Sequence, residues 1–89
     1  MTAMVRLPRI LSDAANTDTR LQVDGDTVES SLSDLFRREP GLRNHLLDES
    51  GAIRPHVSIF VDGSQAALDT DVRDGSEIRV LHAVSGGCV

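Results

Sequence analysis

Only one stretch of this chain has the period of a long amphipathic helix, and strand-like segments flank it on both sides. Val28, Leu32, Leu35 and Phe36 fall on one face at helical spacing, which predicts a helix over 28–38. Asp26 or Thr27 can cap its first N–H groups, with Glu29 in capping-box register to Asp26. Glu39-Pro40-Gly41 stops it. A single apolar helix face needs a sheet to cover it, so the remaining segments must supply one.

They do so in a definite order. Met4–Leu11 reads as a first strand, with Val5 and Leu7 alternating against Met4 and Arg6. Pro8 suits a strand end or an edge. Residues 12–18 are polar and turn-rich, and Thr19–Val23 is a second short strand with Leu21 and Val23 inward. After the helix, Leu42–Leu47 adds one helical turn anchored by Leu42 and Leu46. His56–Asp62 is the next strand, with Val57, Ile59 and Val61 on one face and Ser58 and Phe60 on the other. Asp62-Gly63 turns the chain, and a short strand near Leu68 and Val72 follows. Asp74-Gly75 is a further turn, and Glu77–Val84 is the last strand with Ile78 and Val80 inward. Two strands, a helix, then two or three strands give an α+β chain of the β-grasp, or ubiquitin-like, arrangement. Its mixed sheet has four to five strands, one main helix lies across it, and the last strand sits centrally.

Composition narrows the function. At 89 residues the chain is one small domain, divided here into a folded body, 1–84, and a C-terminal tail, 85–89. Net charge is −5, which argues against nucleic acid, where Lys and Arg on phosphates drive binding. Phe36 and Phe60 are the only aromatic residues, so base or sugar stacking is not expected. A single cysteine forms no internal disulfide and fits a reducing cytoplasm. No apolar run approaches a membrane span, and the N-terminal residues do not read as a secretion signal. All nine basic residues are arginine. The chain therefore offers no side-chain amine to an activated carboxyl made on itself, although genomic codon bias also yields such a composition.

The tail carries the chemical signal. The chain ends Val84-Ser85-Gly86-Gly87-Cys88-Val89. A di-glycine threads narrow channels and adopts backbone angles closed to other residues. Val84 to Gly87 spans at most about 13 Å when extended, enough to enter a pocket while the sheet docks outside it. Outward apolar residues of neighbouring strands would form the docking face: Phe60 and Leu81, with Met4 or Arg6 nearby. Plain cross-strand packing is the alternative reading of those residues. His45, His56 and His82 show no ligand spacing, and a lone Cys88 makes a poor zinc site, so no metal site is expected. Arg37, Arg38 and Arg43 read as a solvated helix face.

The run Asp74-Gly75-Ser76-Glu77-Ile78-Arg79-Val80-Leu81-His82-Ala83-Val84-Ser85-Gly86-Gly87 resembles the ThiS/MoaD family of ubiquitin-like sulfur carriers. The likeness covers the whole chain. The opening Val5-Arg6-Leu7-Pro8-Arg9-Ile10-Leu11 is similar to the CysO-type branch, which serves cysteine synthesis. His82 stands where many members have proline. Most members end at the second glycine, whereas Cys88-Val89 resembles a minority with a removable extension, including carriers of natural-product pathways.

The resemblance implies a protein cosubstrate with no catalytic residues and no bound cofactor. A JAMM-type zinc metallopeptidase would remove Cys88-Val89 by cutting after Gly87. An adenylyltransferase/sulfurtransferase resembling ubiquitin-activating enzymes would use ATP to adenylate Gly87. A sulfur donor would then leave a thiocarboxylate, with Ser85 and Gly86 threading the active site. A sulfur-accepting synthase, PLP-dependent if it makes cysteine, would take the sulfur. Other readings are a ubiquitin-like modifier forming isopeptide bonds, a carrier for molybdopterin or thiamine synthesis, and a non-covalent β-grasp module. Cys88 also reads as an incidental tail residue or a lone thiol; prenylation needs a cysteine fourth from the end. The expected state is a monomer that forms transient complexes.

Overall fold

The computed structural model describes residues 2–82. Five strands form one sheet in the order β2-β1-β5-β3-β4. They are β1 (Thr2–Arg6), β2 (Arg20–Asp24), β3 (Val57–Val61), β4 (Ser64–Ala66) and β5 (Glu77–His82). The last strand is central, as the sequence predicts: β5 runs parallel to β1 and antiparallel to β3. Alternation sends Ala3, Val5, Val57, Ile59, Ile78 and Val80 to one face, where all are buried. Against that face lies the helix α2 (Val28–Arg38), contributing buried Val28, Leu32 and Leu35. The fold is the expected β-grasp.

The first strand is shorter than its sequence suggests. It ends at Arg6, and Arg9–Ala15 forms a helix, α1, where a strand end and a polar turn were expected. Pro8 explains the switch. Its ring holds φ at −65° and it has no N–H to give a ladder, so the chain leaves the sheet. The Pro8 carbonyl then accepts the Leu11 and Ser12 N–H groups, and Leu11 is buried in the core. Asn16, in the left-handed region at φ 55°, closes the helix.

The main helix matches its predicted bounds, and of the two expected caps Thr27 is the one used, with Ser30 rather than Glu29 completing the box. Thr27 is the N-cap, accepting from the Ser30 N–H at 3.1 Å, while Ser30 Oγ accepts from the Thr27 N–H at 3.0 Å. The other first-turn donors find backbone partners across the fold. Val28 N–H donates to Thr70 O and Glu29 N–H to Leu68 O, each at 2.9 Å. The segment carrying Leu68 and Val72 is therefore no sheet strand; it seals the helix N-terminus, and the short strand forms earlier, at Ser64–Ala66. Gly25 makes this junction close enough. A Cβ there would lie 2.5 Å from both the backbone N and the Oγ of Ser31.

After α2, a 3-10 turn (Pro40–Leu42) and the helix α3 (Arg43–Leu46) bury Leu42 and Leu46 fully, as expected of anchors. Asp34, buried on α2, accepts from the Asp24 N–H at 3.0 Å and pairs with Arg37 and Arg38. Arg38 also donates to Gln22 O. Arg37, Arg38 and Arg43 are exposed, as a solvated face predicts, and Arg38 alone of the three also reaches the β2 edge. The Asp24 N–H, then the two arginines, hold the Asp34 carboxyl below its ordinary value.

Candidate functional site

Strand β5 leads into the C-terminal residues, and its neighbours fix where it points. Its outward positions are Glu77, Arg79 and Leu81, the last 44% exposed. In register, Arg79 lies between Arg6 on β1 and Phe60 on β3. Met4 is level with Glu77, and Ser58 is level with Leu81. All four residues expected at a docking surface, Met4, Arg6, Phe60 and Leu81, therefore belong to the face turned away from the helices.

That face is not one uniform patch. Phe60, Gly63, Glu77, Arg79 and Leu81 line a shallow groove of about 370 Å³. A second depression, of about 280 Å³, lies on the other side of Arg79 and Leu81 and includes Arg6, Leu7 and Pro8. Met4 lines neither; it borders a separate hollow with Thr2, Gln22 and Asp74. Leu81 and Arg79 form the ridge common to the first two. Alternation in Glu77–His82 already marks Glu77 and Arg79 as outward, yet a search for apolar residues passes over them. Glu77 Oε2 meets Arg6 at 3.4 Å and Oε1 meets Arg79 at 3.8 Å. Exposed pairs at such distances stabilise little, so these charges remain available to a partner.

The start of β5 is locked from below. Asp62 and Gly63 both have positive φ, 50° and 89°, the geometry of a two-residue type I′ hairpin between β3 and β4. The same Asp62 reaches across to β5. Its Oδ1 accepts from the Glu77 N–H at 3.0 Å, its Oδ2 accepts from Ser76 Oγ at 2.9 Å, and its own N–H donates to Glu77 O. The Glu77 N–H and then the Ser76 hydroxyl hold the Asp62 carboxyl below its usual range. One turn residue thus sets the register of the strand that delivers the tail.

At the other end, His82 packs edge to face on His56, ring centroids 4.7 Å apart. Its Nδ1 is buried without a partner among the described residues. His82 is the last residue of β5, and its contact with His56 is not visible in the spacing of the histidines. No group of three or more metal-ligating side chains occurs among the described residues. Ser85, Gly86, Gly87 and Cys88, the expected threading, reaction and processing positions, lie outside the described residues, as do the last two positions of the expected Glu77–Val84 strand.

Known proteins share both the pattern and the fold. The ThiS family profile matches residues 5–87, which takes in Gly86 and Gly87. This chain belongs to the ThiS family. It is 30% identical to the sulfur carrier protein CysO of Mycobacterium tuberculosis, over 98% of this chain and all of that protein. It is 33% identical to small archaeal modifier protein 1 of Haloferax volcanii, over 86% of this chain and 91% of that protein. In structure, SAMP1 from H. volcanii superposes with a TM-score of 0.87 at 27% identity, covering 98% of this chain and all of the other. The Amycolatopsis orientalis BexX/CysO complex matches with a TM-score of 0.85 at 25% identity, over 96% of this chain and 99% of that one. The chain is thus a ThiS-family β-grasp protein similar to sulfur carriers and small modifiers, and family members are found in protein complexes. No helix among the described residues is long and apolar enough to cross a membrane.

Proposed function

We propose that this chain is a sulfur carrier that works through the carboxyl of Gly87. The observation that carries this reading is the family match running through Gly86-Gly87, in a fold whose central strand leads straight into that segment. In the encoded chain Gly87 is tied in a peptide bond to Cys88, so removal of Cys88-Val89 comes first. A zinc JAMM-type peptidase suits that cut. An activating partner then spends ATP to join AMP to Gly87, since a carboxylate is a poor electrophile at neutral pH. Sulfide sulfur attacks the acyl carbon, AMP leaves with its bonding electron pair, and a thiocarboxylate remains.

The body contributes position and the partner contributes catalysis. Leu81 and Phe60 give the activating partner an apolar hold, and Arg6 and Arg79 orient it. The acceptor is an activated serine derivative on a PLP enzyme, giving cysteine, or an intermediate of a sulfur-containing natural product. Its likeness to CysO favours the first.

The likeness to a small archaeal modifier supports a second reading, attachment to amines of other proteins. One incubation separates them. The chain ending at Gly87 is mixed with its activating partner, ATP and sulfide. A carrier gains the mass difference between sulfur and oxygen at its C-terminus. A modifier forms isopeptide-linked ladders with added protein, and their appearance without any thiocarboxylate would reject the carrier reading.

A further inference from the structure

An activated acyl carbon reacts with any nearby amine, and this protein presents none on a side chain. Its nine cations are all arginine. Arg9, Arg20, Arg37, Arg38, Arg43, Arg73 and Arg79 stand exposed, and Arg6 and Arg54 are half-buried. A guanidinium stays protonated above pH 12 and has no lone pair to give to a carbonyl, whereas a lysine always has a small amine fraction at neutral pH. Histidine is no durable acceptor, because water cleaves an acyl-imidazole back to the acid.

We propose that the activated form of this chain cannot acylate its own body, so that every stable acyl product it makes is on another molecule. This rests on the reading that Gly87 is activated. The fold also holds the start of β1 away from the acyl carbon. Because β1 and β5 are parallel, with Met4 level with Glu77, Thr2 lies at the opposite end of the sheet from His82. The register sets them seven positions apart, about 23 Å at ~3.3 Å per residue. Gly87 is five positions beyond His82, a span of at most about 18 Å. The acyl carbon therefore stops short of the chain's first strand residue.

The excluded step is defined in atoms. A neutral amine nitrogen would bond to the Gly87 carbonyl carbon, the carbon–oxygen bond to AMP would break with its electrons leaving on AMP, and the amine proton would go to solvent. Without that step the adenylate reacts only with sulfide, water or an amine of another molecule. Side-chain-linked polymers of this chain do not form, so copies joined to a target protein are not branched through this chain's side chains. Arg6 and Arg79, level with each other on the outer face three positions before His82, are positions where a lysine would open the reaction. Position 79 lies three places before His82 on β5, about 10 Å at ~3.3 Å per residue, and so within the ~18 Å that five extended residues span.

The test uses a chain ending at Gly87 as a thioester of a small thiol, made chemically so that no activating enzyme is needed. Wild type, Arg79→Lys and Arg6→Lys are incubated at mildly alkaline pH and followed by intact mass and peptide mapping. Wild type is expected to give the hydrolysed acid alone. Both lysine variants should give a product lighter than the acid by one water, at a rate independent of protein concentration and mapped to the new lysine. A wild-type product lighter by one water, a wild-type dimer linked through a side chain, or lysine variants that only hydrolyse would each overturn the proposal. A failure of the enzyme-driven incubation with a clean result here would count against Gly87 activation alone.

Discussion

The two faces of the sheet use the same strands and teach opposite lessons. On the inner face, alternate residues Val5, Ile59, Ile78 and Val80 are at most 1% exposed and packed against α2. On the outer face, their immediate neighbours Arg6, Phe60, Arg79 and Leu81 remain open, with Leu81 at 44% exposure. A one-residue step along β5 thus separates a side chain that holds the fold from one left open to solvent. The inner face is constrained by packing volume; the outer face is not, and on the proposed function what docks there constrains it.

Ile78→Ala should show the largest loss of stability, about 2–5 kcal/mol, because it removes buried methylenes and leaves a cavity at the sheet centre. Chemical denaturation reads it directly. Its outward neighbour breaks the symmetry: Leu81→Ala should change stability by less than about 0.5 kcal/mol. The same variant should weaken binding to the activating partner by more than about 1 kcal/mol, the level of a residue central to an interface. Calorimetric titration against that partner decides, and equal stability losses at 78 and 81 would erase the contrast between faces.

Next in size is Gly25→Ala, about 1–3 kcal/mol, since the new methyl would press on the Ser31 backbone. Thr27→Ala, which removes the N-cap, should cost about 1 kcal/mol in thermal or urea melts. Neither touches the outer face, so affinity for the partner should hold in the folded fraction of each.

The smallest effect is in acid. The folded Asp62 carboxyl titrates below its unfolded value of 3.8, so its contribution to stability is present above that pH. It is lost as pH falls through the folded value, while the carboxylate that grips Glu77 and Ser76 becomes protonated. Asp62→Asn should lower stability at neutral pH and flatten this part of the acid profile. An unchanged acid slope would show that the clamp on β5 is not energetically coupled to Asp62.

Much of the fold was legible because period reports burial directly. Helix α2, the inward residues of β3 and β5, and the Asp62-Gly63 turn follow from spacing and local backbone chemistry. Where the reading strayed, a long-range partner made the decision. Ile10 and Leu11 suit a strand as well as a helix, and only the exit forced by Pro8 turns them into α1. Leu68 and Val72 look like strand residues, but the unpaired donors of α2 take the backbone carbonyls of Leu68 and Thr70 instead. The candidate site divides in the same way. Phe60 and Leu81 are visible as outward apolar residues, whereas the Arg6–Glu77–Arg79 charges and the His56–His82 contact require the register between strands. Met4 was grouped with them by alternation alone, and the structure sets it in a neighbouring hollow.

The central claim is that a liberated Gly87 carboxyl is the reacting group. Exchange of labelled pyrophosphate into ATP measures reversible adenylation alone, before any sulfur moves. With the activating partner present, the chain ending at Gly87 should support exchange. The chain still bearing Cys88-Val89 should not, until the peptidase is added. Equal exchange from both chains in the absence of peptidase would contradict the account.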